Sequence, residues 1–189
     1  IDHSSGLATS GFGPSAVLGG KVAAPDKIVI NRTGDGGCGI NPSCLATAVE
    51  HGIACTWVVM NNSAFGTIAG LENANYKTKF GTVFYKPDGE RYTICWADVA
   101  KSYGIESICV NSAEEFKPAL EKAIAANNEG RPFLVEAPME NIVVPTPGCW
   151  NINDIYTPNA LVKEGKLVKK ENGRYVAPSH SKSHDGCLN

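Results

Sequence analysis

Along the first 140 residues, short apolar runs alternate with segments whose apolar positions recur every three or four residues. Four runs have the length of strands: "KIVI" (27–30), "ACTWVVM" (54–60), "ESICV" (106–110) and "PFLVEA" (132–137). They are nearly continuous rather than alternating, the pattern of strands covered on both faces. Helical segments lie between them. "GPSAVLGGKVAA" (13–24) is rich in small residues and reads as helix despite its glycines. "NPSCLATAVEHG" (41–52) has proline near its start and glycine at its end, and "TICWADVAKSYG" (93–104) also closes on glycine. Ser112 followed by Glu115 forms a capping-box signature. It opens a helix reaching Asn127, with Ala113, Phe116, Leu120, Ala123 and Ile124 on the apolar side.

This repetition predicts an α/β fold: a three-layer α/β/α arrangement with a mainly parallel sheet. Ligands of such sheets sit beyond the carboxyl ends of the strands. Two segments carry chemistry there. "GDGGCG" (34–39) follows the first strand after the step "NRT", and "NNSAFG" (61–66) follows the second. After residue 144 the pattern dissolves into "PTPGCWNINDIYTP", while "LVKEGKLVKKENGRYV" (161–176) fits a small hairpin. The expected division is therefore a ligand-binding domain over 1–144 and a tail over 145–189. That tail either covers the active site or packs at an interface.

Bulk properties narrow the function classes. A chain of 189 residues with net charge −2 presents no broad basic field for nucleic acid or an anionic membrane. No apolar stretch is long enough to span a bilayer. The start shows neither a signal peptide nor a methionine, so a domain of a longer chain or a processed product is expected. The seven cysteines are odd in number and include no C-x-x-C pair, which reads as cytosolic thiols and a cytoplasmic protein. Cys55 and Cys109 fall in apolar runs and read as core. Trp57, Trp96 and Trp150 read as core or interface anchors. His51 closes a helix, where the dipole explains it. His180, His184 and Cys187 resemble half of a zinc site that has no second half.

Gly34, Gly36 and Gly39 satisfy the dinucleotide fingerprint G-x-G-x-x-G, yet the next strand ends "VVMNN", without the acidic residue that would hold a ribose. Asp35 would also oppose a pyrophosphate. A divalent cation removes this conflict, because hard cations such as Mg²⁺ bridge diphosphate oxygens to one or two protein carboxylates or amides. No lysine or arginine occurs between Arg32 and Lys77. The positive charge would come from the cation, backbone N–H groups and a helix N-terminus. Asp35 and Asn62, on neighbouring strand ends, could share that ion. The carbonyl of Ala64 could complete the protein side. Glycines at 34, 36 and 37 would allow close approach and positive φ. Cys38 has no histidine near it in sequence and reads as a backbone donor.

The "GDG" at 34–36 and "NN" at 61–62, separated by residues 37–60, resemble the signature of thiamine-diphosphate-dependent enzymes. Upstream, "SGFGPSAVLGGKVAAPDKIVI" is similar to a segment of the acetolactate synthase and benzoylformate decarboxylase branch, and "NNSAFGTI" resembles its metal loop. The similarity covers roughly residues 5–140.

The resemblance implies that Asp35, Asn62 and the Ala64 carbonyl hold Mg²⁺. It places Gly34, Gly36, Gly37 and Cys38 along the diphosphate, with Phe65, Gly66 and Thr67 following the metal loop. Ile68 falls where the family faces substrate. It further implies a backbone carbonyl near Ala8 for the aminopyrimidine and a bulky apolar wedge at position 10. Here that position is Ser10, too small for a wedge; Leu7 is one substitute. The implied chemistry cleaves or forms a C–C bond next to a carbonyl, on a 2-oxo acid or dicarbonyl, as a lyase, carboligase or C–C hydrolase. An activating glutamate is implied on a separate pyrimidine-binding domain, on the same or another chain, in a homodimer or homotetramer. A flavin in such a further domain cannot be read from this chain. Two alternatives remain: the small subunit of a two-subunit 2-oxo acid decarboxylase, and a degenerate, non-catalytic partner domain.

Overall fold

The structure, a computed structural model, describes residues 9–78 and 80–140, together with 162, 165, 168–169 and 175–176. The chain begins with helix α1 (Phe12–Ala23), then runs β1 (Ile30–Gly34), α2 (Asp35–Ile40), α3 (Cys44–Glu50), β2 (Thr56–Asn61), α4 (Gly66–Tyr76), α5 (Trp96–Ser102), β3 (Glu106–Cys109), α6 (Ala113–Asn128) and β4 (Phe133–Pro138). The four strands form one sheet in the order β1-β2-β4-β3, and every pairing is parallel. The central strands β2 and β4 are buried almost throughout, which is why their sequences read as unbroken apolar runs.

Two apolar layers flank the sheet. On one side Trp57, Val59 and Leu134 pack with Val17 of α1, Cys38 of α2, Leu45 and Ala48 of α3, and Trp96 and Ala100 of α5. On the other, Val58, Phe133 and Val135 meet Ala119, Ala123 and Ala126 of α6. The three-layer α/β/α expectation holds. Burying a Leu- or Phe-sized side chain stabilises by about 1.5–3 kcal/mol, so these two layers hold the strand ends in register. Two buried polar bonds sharpen that register. The Trp57 indole N–H donates to the Pro14 carbonyl at 2.9 Å, and the Thr56 hydroxyl donates to Asn127 Oδ1 at 2.8 Å.

Local expectations needed correction. The first strand is not 27–30 but Ile30–Gly34, so "NRT" lies within it, paired from Ile30↔Thr56 to Gly34↔Met60. As an edge strand it needs no apolar run, and Ile28 and Ile30 are themselves exposed. The glycine-rich stretch is not a loop but helix α2. Gly34, Gly36 and Gly37 do not take positive φ; only close approach explains the last two. A Cβ at Gly36 would lie 2.5 Å from the Phe65 ring, and one at Gly37 2.7 Å from Thr33 Oγ1. Helix α6 starts after Ser112, yet that serine makes no side-chain cap bond; Glu115 instead accepts the Asn111 N–H at 2.8 Å. Ala113 is exposed, and the buried stripe begins at Ala119. The expected hairpin exists as β5 (Val168–Lys169) paired antiparallel with β6 (Tyr175–Val176). The "PTPGCWNINDIYTP" segment, Trp150, His180, His184 and Cys187 lie outside the described residues, as does the expected boundary at 144/145. Among the described residues no helix is long and apolar enough to cross a membrane.

Candidate functional site

Because Gly34 pairs with Met60, the chain leaves β1 and β2 side by side. It enters α2 at once from β1, making Asp35 the first helical residue and burying it to 4% exposure. Asp35 Oδ2 accepts the N–H of Ala64 at 3.1 Å. One terminal atom of the Asn62 amide stands 3.1 Å from Asp35 Oδ1 and 2.9 Å from the Ala64 carbonyl oxygen. As oxygen it faces only acceptors; turned over, it is a nitrogen that donates to both. The Asn62 amide thus stands about 3 Å from each of two oxygens, one of Asp35 and one of Ala64. Adjacent corners of an octahedron with metal–oxygen bonds of about 2.0–2.1 Å lie that far apart. Burial pushes the Asp35 carboxyl above its ordinary range, and backbone N–H groups of Gly36 and Ala64 pull against that rise.

The turn between β2 and α4 is held from several directions. Asn61 Oδ1 accepts the Ser63 N–H at 3.1 Å, and Ser63 takes φ 52°. Arg91 donates to the carbonyls of Asn62 and Ser63 at 2.8 and 3.2 Å while lying over the Tyr85 ring. The Ser63 hydroxyl pairs with that of Thr93. Phe65 packs edge-on against Phe84 and its N–H donates to the Thr82 carbonyl. A cleft of about 420 Å³ opens beside Asp35 and Gly36, walled mainly by Phe65, Phe84, Tyr85, Tyr92 and Trp96.

A family model described as "Thiamine pyrophosphate enzyme, C-terminal TPP binding domain" matches residues 1–137. The chain belongs to this family. The sequence is similar to a "Probable acetolactate synthase large subunit" of Methanocaldococcus jannaschii, 33% identical over 147 residues covering 77% of this chain and 24% of that protein. A sulfoacetaldehyde acetyltransferase of Alcaligenes xylosoxydans xylosoxydans is 34% identical over 127 residues, 67% of this chain and 20% of that one. Among solved structures, a thiamine diphosphate-dependent 4-hydroxybenzoylformate decarboxylase of Rhodococcus jostii RHA1 superposes with a TM-score of 0.57 at 28% identity, over 69% of this chain and 23% of that one. The chain spans no more than about a quarter of the length of these relatives.

Within this TPP-binding domain the residues expected at the site distribute unevenly. Asp35, Asn62 and Ala64 meet directly, and Gly36 meets Phe65. Gly34 ends β1; Gly37 and Cys38 lie in α2; Gly66, Thr67 and Ile68 form the first turn of α4, with Ile68 53% exposed. The Cys38 thiol is buried in the apolar layer and burial pushes its pKa up to about 12. Its side chain therefore stays neutral and packed in that layer. Ser10 is exposed in the turn before α1. Gly11 of that turn sits against Ile40 at the end of α2. Ala8 and Leu7 lie outside the described residues. Sequence reasoning missed Asn61, Arg91, Thr93 and Glu136. The one available signal was Glu136 itself, a carboxylate inside an otherwise apolar strand.

Proposed function

We propose that this domain binds thiamine diphosphate through a divalent cation, Mg²⁺, held by Asp35, the Asn62 amide oxygen and the Ala64 carbonyl. The observation that carries the reading is that one terminal atom of the Asn62 amide stands 3.1 Å from Asp35 Oδ1 and 2.9 Å from the Ala64 carbonyl oxygen; as nitrogen it donates to both, and turned over it would offer a cation a third oxygen at the same point. The donor set fits a hard cation: one carboxylate and two neutral oxygens leave room for diphosphate oxygens and water. With no lysine or arginine between Arg32 and Lys77, an ion is the economical way to neutralise the diphosphate. Gly36 and Gly37 offer backbone N–H groups in the first turn of α2, and Gly66 and Thr67 do so at the start of α4; the Cys38 N–H, four residues past Gly34, belongs to the helix's own ladder. A Cβ at Gly36 or Gly37 would run into the Phe65 ring or Thr33 Oγ1, so glycine at these positions lets α2 pack closely on the 62–65 turn and on β1.

When bound, thiamine diphosphate supplies the nucleophilic carbon and electron sink for C–C cleavage or ligation next to a carbonyl. The role of this chain is to anchor, orient and shield. Asp35 and Asn62 fix the anionic end, Phe65 and the Tyr85–Tyr92 wall exclude water, and Ile68 faces the substrate. A pyrimidine-binding domain, on the same or another chain of a homodimer or homotetramer, provides the activating glutamate and the other half of the pocket. The substrate is a small 2-oxo acid or dicarbonyl compound. The free thiols of Cys38, Cys44, Cys55, Cys95 and Cys109 fit a reducing compartment, and we place the protein in the cytoplasm.

Titration calorimetry on the intact protein tests this reading. Thiamine diphosphate should give a binding isotherm in Mg²⁺ that disappears in EDTA, and NAD should give none. Equal affinity with and without Mg²⁺, or metal-independent NAD binding, would overturn it.

A further inference from the structure

Glu136 of β4 is 2% exposed. Its register opposite Val59 puts it on the sheet face that carries Trp57, Val59 and Leu134. A buried carboxylate is unfavourable unless its lone pairs are engaged. Among the described residues its partners are three uncharged donors: Asn61 Nδ2 at 2.7 Å, the Ala97 N–H at 2.8 Å and the Cys95 thiol at 3.6 Å. A carboxylate can only accept, so the Asn61 amide must turn its NH2 toward Glu136. The second hydrogen of that NH2 goes to the Ile94 carbonyl at 2.9 Å. The Asn61 oxygen is thereby directed at the Ser63 N–H, inside the turn where Ser63 holds the left-handed φ of 52°. That conformation is unfavourable for serine, and it sends Asn62 and Ala64 back toward Asp35.

We propose that Glu136 and Asn61 are positioning residues for the Asp35–Asn62–Ala64 oxygen set, so that this buried carboxylate serves the ion rather than only the fold. The proposal rests on reading that set as a divalent-cation site. Glutamine at 136 would remove the dictation, because its NH2 must face either the Asn61 NH2 or the Ala97 N–H. The turn then loses the acceptor that holds Ser63. Partners behind a metal ligand shell typically change metal affinity about 10–100-fold when removed.

The experiment uses Mn²⁺ as the probe, titrated into the intact protein with saturating thiamine diphosphate, with free Mn²⁺ read by electron paramagnetic resonance. Glu136→Gln should weaken Mn²⁺ binding at least about tenfold. Thr56→Val serves as the control: it breaks the Thr56–Asn127 bond at the other end of β2, and should lower Tm while leaving Mn²⁺ affinity within about twofold, since distant sites act independently. Adding Ser63→Gly to Glu136→Gln should recover most of the lost affinity, because glycine adopts positive φ without the lock. Should Glu136→Gln fail to fold, Asn61→Ser takes its place in the same comparison, leaving Glu136 on the Ala97 N–H. Unchanged Mn²⁺ affinity in the Glu136 or Asn61 variant overturns the inference, as does equal weakening by Thr56→Val. If the wild-type protein binds no Mn²⁺, the cation reading itself fails and this inference with it.

Discussion

Replacing Asp35 by asparagine exchanges a single oxygen for NH2 and separates what the residue does for the fold from what it does for the ion. The asparagine carbonyl can keep the Ala64 N–H, now held by Oδ2 at 3.1 Å. Its NH2 then stands where Oδ1 faces the Asn62 amide, also at 3.1 Å. In the metal-free protein two effects oppose each other. Burial raises the Asp35 pKa, so the charged form weakens the fold and its removal helps; against that, an amide-to-carboxylate hydrogen bond is lost. Each is on the order of 1–3 kcal/mol, and the net change should stay within about 1 kcal/mol, or roughly 4 °C in Tm. In Mg²⁺ and thiamine diphosphate at about 100 times the dissociation constant, the wild type should gain about 2.7 kcal/mol, roughly 5–11 °C. The variant, without the one anionic member of the oxygen set, should gain little. Scanning calorimetry in EDTA and in Mg²⁺ with thiamine diphosphate reads all four values. The pH dependence has a definite sign. With the folded pKa above the unfolded one, the folded state binds more protons between the two values. Metal-free wild-type stability should therefore fall as pH rises through that window, and the variant should lack the fall. Equal ligand stabilisation of both proteins, or a metal-free loss beyond about 10 °C, would refute the reasoning.

Gly36→Ala should lower stability by about 1–2 kcal/mol, because overpacking against the Phe65 ring outweighs the gain of about 1 kcal/mol from alanine in a helix; combining it with Phe65→Ala should give a clearly non-additive cycle in urea unfolding. Trp57→Phe should cost about 1–3 kcal/mol through loss of the indole N–H bond to the Pro14 carbonyl, now 2.9 Å, and of the volume the larger ring fills in the buried layer; the urea midpoint measures it. Cys38 and Cys55, each buried with a pKa pushed to about 12, should resist iodoacetamide in native protein at pH 8 and label only after unfolding, as peptide mass mapping would read.

The order of elements was legible because β2 and β4, covered on both faces, carry unbroken apolar runs, and because glycine closes α3 and α5. The paired strand ends were legible for the same reason: adjacent parallel strands bring Asp35 and Asn62 together whatever the detail of their loops. Edge strand β1 was placed too early because its hydrogen-bonded residues Asn31, Arg32 and Thr33 are polar. Helix α4 was not anticipated: "GTIAGLENANY" lacks a strong apolar stripe, and its burial rests on Ala69 against Ala64 and Val83. Asn61, Glu136 and Arg91 were invisible as a network, since their bonds depend on a β2–β4 register and a 62–91 contact that no local pattern encodes.

That Asp35 both ends a strand and begins a helix has a consequence for binding. With no flexible stretch between β1 and α2, a cation bound as proposed would meet a carboxylate whose direction the fold has already set. On the proposed reading, little configurational entropy would be surrendered by the polypeptide when this half of the pocket is filled.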